Sequence, residues 1–98
     1  MPTVVVRYQT KPEHSDENQR LIEKVFAELA VKQPAGLRYA SFRLADGVSF
    51  VHVATVDTPD GVNPLTTIAA FGEFTSEVAS RCTVQPDAAP ATVVGSYP

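Results

Sequence analysis

Between Leu37 and Val56 the chain reads LRYASFRLADGVSFVHVATV. Two strand-like runs, Leu37 to Ala45 and Val48 to Val56, flank Asp46-Gly47, the favoured pair for a two-residue type I′ turn. That turn places Arg43 opposite Phe50, Ser41 opposite His52 and Tyr39 opposite Ala54 on one side of the ladder. Phe42 with Val51 and Ala40 with Val53 fall on the other side. One face of this hairpin is therefore apolar. The other carries phenol, hydroxyl, imidazole and guanidinium groups.

Working outward from the hairpin, Thr3 to Thr10 reads as a strand, with Val4, Val6 and Tyr8 on one side and Val5 and Arg7 on the other. Lys11-Pro12 ends it, because proline has no N–H for a ladder. A helix is expected from Ser15 to Lys32, since Leu21, Ile22, Val25, Phe26 and Leu29 form one apolar stripe. Ser15 or Asp16 can cap its start, and Pro34-Ala35-Gly36 stops it. Downstream of the hairpin, Asn63-Pro64 is a good helix opening, asparagine as cap and proline in the first turn. The apolar stripe that follows shifts near Gly72, which predicts a kinked helix or two short ones ending near Cys82. Pro86 to Pro90 reads as a linker, and Ala91 to Tyr97 as a last strand.

The order is β-α-β-β-α-β, an α+β ferredoxin-like arrangement of a four-stranded antiparallel sheet with two helices on one face. At 98 residues this is one domain's worth of chain, 1–98. The 14 Val and 12 Ala against 5 Leu and 2 Ile agree with a sheet-rich fold. Because the strands carry apolar residues on both sides, a bare outer sheet face would be a large exposed patch for a monomer. A two-fold dimer packing sheet against sheet, a homodimeric α/β barrel, removes it.

Charge and composition exclude several function classes. Eight Lys+Arg against 11 Asp+Glu leave a net charge of −3, without the basic cluster that nucleic-acid phosphates require. No apolar run approaches the roughly 20 residues of a membrane span. The start of the chain lacks the basic region of a signal peptide, and a lone Cys82 forms no internal disulfide, so a cytoplasmic location is expected. No spacing of histidine, cysteine or carboxylate suggests a metal, and no glycine-rich phosphate loop suggests a nucleotide cofactor.

Phe50-Val51-His52-Val53-Ala54-Thr55-Val56-Asp57, followed by Asn63-Pro64-Leu65 and by Ala70-Phe71-x-x-Phe74, resembles the antibiotic-biosynthesis-monooxygenase-like superfamily of dimeric α/β-barrel proteins. The likeness is to its actinobacterial-type subgroup and extends through Arg81-Cys82 to Thr92-Val93-Val94-Gly95-Ser96-Tyr97. Ala69-Ala70-Phe71 departs from the Pro-Ala-Phe common in that subgroup. The resemblance implies a homodimer with a pocket between sheet and helices. In some members it implies cofactor-free oxygenation of polycyclic phenols or quinols, in others haem degradation or isomerisation. Haem-degrading members use a tryptophan, and this chain has none. Fold likeness alone leaves function open between such an oxygenase, a non-catalytic small-ligand binder and a structural or regulatory dimer.

His52 is the candidate catalytic residue, an imidazole able to take a proton from a phenolic substrate. Its alternative role is a hydrogen bond to Ser41 across the ladder or to the partner subunit. Tyr8, Tyr39 and Phe50 are candidates for stacking on a flat ligand, with Ser41 and Arg43 as polar contacts on the same face. Filling the core or the interface, or a dimer-interface or edge ion pair in the case of Arg43, is the alternative for these. Cys82 reads as structural, and His14 as a solvated loop residue. Neither a metal nor a cofactor is expected.

Overall fold

The computed structural model describes residues 2–97 and contains β1 (Thr3–Thr10), α1 (Ser15–Lys32), β2 (Leu37–Arg43), β3 (Ser49–Val56), α2 (Ala69–Ser76), α3 (Val78–Arg81) and β4 (Cys82–Ala91). The four strands form one antiparallel sheet in the order β2-β3-β1-β4. This is the ferredoxin-like α+β arrangement read from the pattern, with the helices on one face.

The β2–β3 register is the expected one, with Arg43 opposite Phe50, Ser41 opposite His52 and Tyr39 opposite Ala54. The turn itself differs. A type I′ turn needs Asp46 and Gly47 both left-handed, and only Gly47 is, at φ 78°. The loop instead runs from Ala45 to Val48, closed by the Leu44 N–H to Ser49 C=O bond at 2.8 Å and the Gly47 N–H to Leu44 C=O bond at 3.0 Å. Asp46 holds the loop by accepting from the N–H groups of Val48 and Ser49 at 3.0 and 2.8 Å. The Ser49 hydroxyl donates to the same carboxylate and, together with those N–H groups, lowers its pKa. Backbone capping by an Asp side chain has replaced the left-handed pair, and the register survives because both turns join the same residues.

Helix α1 has its expected limits, but neither Ser15 nor Asp16 caps it. A 3₁₀ turn at Pro12–His14 leads in, and the buried Ser15 hydroxyl bonds the Thr10 hydroxyl at 2.8 Å. At the other end Gln33 takes φ 45° and donates its N–H to the Leu29 carbonyl. Asn63 does cap as expected, its side chain accepting from Leu65 N–H at 2.9 Å, though the turn it opens is a 3₁₀ segment, Pro64–Thr67. The helix divides at Ile68 and Glu77, and Gly72 lies inside α2.

The last strand is the largest departure from the sequence reading. Pro86 to Pro90 belongs to β4, and residues 92–97 lie beyond it in no regular element. Proline is tolerated there because β4 is an edge strand, paired to β1 alone. The pairing also shifts register between Arg7 and Gln9 of β1, so that Gln85 and Pro86 together oppose Tyr8 in a bulge.

The mixed side of the sheet faces the helices. Tyr8 and Phe50 join Ile22, Val25, Leu65, Ile68, Phe74 and Cys82 in the core. The apolar side faces outward, where Phe42 is 53 % exposed. The polar groups of the hairpin are thus inside, and they must find partners there.

Candidate functional site

A cavity of about 240 Å³ lies between the sheet and the α2–α3 segment. Its walls are mostly apolar: Val4, Val6 and Ala54 from the strands, Leu65, Phe71, Phe74 and Val78 from the opposite side. Tyr8, Tyr39 and His52 give it one polar surface. The sequence reading brought these three together with Ser41, and the structure does the same.

His52 is buried, and both ring nitrogens are engaged. Nε2 meets the Tyr8 hydroxyl at 2.7 Å, while Nδ1 meets the Tyr39 hydroxyl at 2.8 Å and the Ser41 hydroxyl at 2.7 Å. The cross-ladder bond to Ser41 follows directly from the hairpin register. Burial without a facing carboxylate disfavours the charged ring and pushes the His52 pKa from 6.5 down to about 4. Burial also raises the phenol pKa of Tyr8 against the opposing Asn18 hydrogen bond, and that of Tyr39 against the opposing Ser41 bond.

Two residues that sequence reasoning did not single out extend this network. Asn18, fully buried on α1, donates from Nδ2 to the Tyr8 oxygen at 2.9 Å and accepts from Arg81 Nε at 3.1 Å. Arg81 also donates to the Phe74 carbonyl at 2.8 Å and packs its guanidinium over the Phe74 ring. The guanidinium fixes the Asn18 amide, so its NH₂ must point at Tyr8. That leaves the Tyr8 proton free for His52 Nε2, with Nδ1–H donating toward Ser41 and Tyr39. The signal for Asn18 was available: it precedes Leu21, Ile22 and Val25 by three, four and seven residues, on their stripe.

Phe50 and Arg43 lie outside the cavity. Phe50 is 2 % exposed and stacks on Tyr8, with ring centres 5.6 Å apart. Arg43 reaches Asp16 at 3.0 Å and Gln19 at 2.7 Å on α1, which ties the hairpin end to the helix. Both sit at the far end of the ladder, by the start of α1, where with Ile22, Phe26 and Ser41 they line a separate groove. Cys82 follows the last residue of α3, at the helix end expected from the sequence, and is also the buried first residue of β4; burial raises its thiol pKa. His14 pairs with Glu17 on the surface. Among the described residues no group of three or more His, Cys, Asp or Glu side chains could hold a metal ion, and no helix is long and apolar enough to cross a membrane.

The wall carrying Phe71 and Phe74 is tethered by one side chain. Ile68 offers α2 no cap, so Glu28 of α1 accepts from the N–H groups of Ala69 and Ala70 at 3.1 and 2.9 Å. Lys32 bonds the same carboxylate and, with those amides, lowers its pKa. Glu28→Ala is expected to leave α1 intact, to expose the Ala69 and Ala70 amides to faster hydrogen exchange, and to lower Tm by a few degrees at most. Exchange at those two amides equal to the parent would show that the tether holds nothing.

No protein-family model matches the chain, and no curated protein matches it either. Solved structures do. Rv0793 from Mycobacterium tuberculosis superposes with a TM-score of 0.74 at 13 % identity, covering 97 % of this chain and 96 % of that one. An antibiotic biosynthesis monooxygenase gives 0.74 at 18 % identity over 97 % and 100 %. A variant of SnoaB, a cofactor-independent oxygenase from Streptomyces nogalater, gives 0.67 at 19 % identity over 99 % and 96 %. The fold of this chain is that of the antibiotic-biosynthesis-monooxygenase-like proteins.

Proposed function

We propose that the chain is a cofactor-independent oxygenase of a reduced aromatic or quinoid small molecule, working as a cytoplasmic homodimer of single-domain subunits. The observation that carries this reading is a neutral His52 wedged between two phenols at the polar side of an apolar cavity. A substrate hydroxyl seated against Tyr8 can pass its proton to the phenol oxygen as the Tyr8 proton moves to Nε2, the resulting imidazolium donating from Nδ1 to Ser41 and Tyr39. Deprotonated, an electron-rich aromatic ring gives an electron to oxygen by itself, and the protein supplies the base, orientation and a dry site. The likeness in fold to SnoaB supports the same class of chemistry.

Oxygen uptake with a panel of anthrones, quinols and polycyclic phenols, run with added metal, with chelator and with neither, tests the reading. Uptake is expected to survive chelator and to fall about 100-fold or more in His52→Ala. Tyr39→Phe, which keeps the ring, should slow it without unfolding the chain. A silent panel overturns the proposal. A second reading, a non-catalytic binder, is favoured by the complete hydrogen bonding of the His52 ring; ligands from the same panel would then raise Tm without turnover.

Dimerisation has its own support. The outer sheet face offers Phe42, Val51 and Val53, β4 exposes Val84, and beyond it Val94 and Tyr97 are fully exposed. Light scattering at micromolar concentration should give twice the chain mass, and Val51→Asp should halve it by placing a charge in the sheet-to-sheet contact. A natively folded monomer of the parent chain refutes the dimer.

A further inference from the structure

Five rings stand in one file across the sheet and α1. Phe26 stacks on Tyr39 at 5.1 Å, Tyr39 on His52 at 5.9 Å, His52 on Tyr8 at 5.4 Å and Tyr8 on Phe50 at 5.6 Å, with interplanar angles between 10° and 20°. The three central members are also joined edge to edge by hydrogen bonds, both tyrosines to one imidazole. A phenol loses an electron at moderate potential only if its proton has somewhere to go in the same step, and a neutral imidazole at hydrogen-bond distance is such an acceptor.

Both tyrosines line the inner cavity, but they differ in how far they reach beyond it. Tyr8 touches the inner cavity and is 3 % exposed, whereas Tyr39 lines that cavity and also a separate outer groove with Phe26, Leu29, Gln33, Pro34 and Leu37. Tyr8 also borders a groove on the outer side of the sheet, but it is almost wholly buried. Tyr39 is partly exposed, so the pair leads from a buried ring to an accessible one with His52 between.

We propose that Tyr8, His52 and Tyr39 form a proton-coupled redox relay that carries an oxidising equivalent out of the cavity to the outer groove. The oxidant is an organic peroxyl radical, the stray product of oxygen chemistry in the cavity; in this the relay rests on the oxygenase reading. In the first step the Tyr8 O–H bond breaks. Its electron reduces the peroxyl radical to the peroxide anion, its proton crosses to His52 Nε2, and the peroxide anion is protonated from solvent to a hydroperoxide. In the second step an electron passes from Tyr39 to the Tyr8 radical, and Tyr8 recovers the Nε2 proton. The Tyr39 proton leaves to water in the outer groove. The hole then rests on Tyr39, where His52 Nδ1–H donates to its oxygen and a one-electron reductant such as ascorbate or a thiol can reach it. The cavity walls, Phe71 and Phe74 among them, are spared oxygen addition.

The test needs no turnover, so it can fail separately from the oxygenase reading. Tyr97 is fully exposed and would mask the signal, so the work uses the Tyr97→Phe chain. Flash oxidation with a ruthenium tris-bipyridine sensitiser and persulfate is expected to give a tyrosyl radical signal in electron paramagnetic resonance. That signal should disappear in Tyr39→Phe. In a second arm, peroxyl radicals from a lipophilic azo initiator are supplied with ascorbate outside. Oxygen addition to Tyr8, Phe71 and Phe74, read by peptide mass spectrometry, should rise in Tyr39→Phe over the parent. In His52→Gln, which removes the acceptor for the Tyr8 proton, this damage should rise as it does in Tyr39→Phe, with circular dichroism confirming the fold of each variant. No radical in the Tyr97→Phe chain, or an equal signal in Tyr39→Phe, overturns the relay, as does equal damage in the second arm.

Discussion

Asn18→Leu is expected to destabilise the protein by about 3 kcal/mol or more, although it replaces one buried side chain by another of similar size. The amide serves two groups at once, the Arg81 guanidinium at 3.1 Å and the Tyr8 hydroxyl at 2.9 Å. Among the described residues no carboxylate lies within ion-pair distance of Arg81, which is 4 % exposed. The Asn18 oxygen and the Phe74 carbonyl are therefore the acceptors that hold a buried charge, and leucine removes one of them. Asn18→Asp makes the contrasting case. It gives the guanidinium a carboxylate but cannot donate to Tyr8, so the Tyr8 proton turns toward the acid and His52 must present Nε2–H. Urea midpoints should rank the parent chain above Asn18→Leu, and ¹⁵N shifts of the imidazole should report the tautomer change in Asn18→Asp. A leucine variant as stable as the parent would show that the guanidinium is solvated without the amide.

The sequence made the sheet legible because its signals are local. Period-two alternation fixed which side chains of β2 and β3 share a face, and an Asp-Gly turn fixed the register, even though the turn that forms is of another type. That register carried Ser41 to His52, and with it half of the site. What stayed hidden depends on contacts between distant elements. Arg81 and Asn18 lie 63 residues apart and meet only when α3 packs on α1. The prolines of β4 argued locally against a strand, and only its place at the sheet edge makes them acceptable. Arg43 and Phe50 were grouped with the site because they share its face. A face extends along a whole ladder, whereas the cavity at His52 occupies one stretch of it, and these two line a second groove at the far end.

Acid should unfold the protein in two stages, and His52 governs the first. Folded, the ring stays neutral until about pH 4 because burial strips it of water; unfolded, it takes a proton near 6.5. Between those values the unfolded chain binds the additional proton, so stability rises with pH and is lost as pH falls. The loss begins near pH 6.5, is complete near pH 4, and amounts to about 3 kcal/mol for a shift of this size. Glu28 and Asp46, whose pKa values are lowered by their hydrogen bonds, act in the same direction only below the ordinary carboxylate range, so they belong to the second stage. The groups facing His52 are Tyr8, Tyr39, Ser41 and the Phe74 ring, none of which takes up a proton in this window. Urea denaturation at intervals from pH 7.5 to pH 4.5 should therefore show a falling midpoint in the parent and a nearly flat one in His52→Gln, which starts lower but has no imidazole to titrate. A parent midpoint that does not move between pH 7 and pH 5 would mean that the folded ring accepts its proton as readily as the unfolded one. The cavity would then not be dry, and a water-excluding site built around His52 would lose its physical basis.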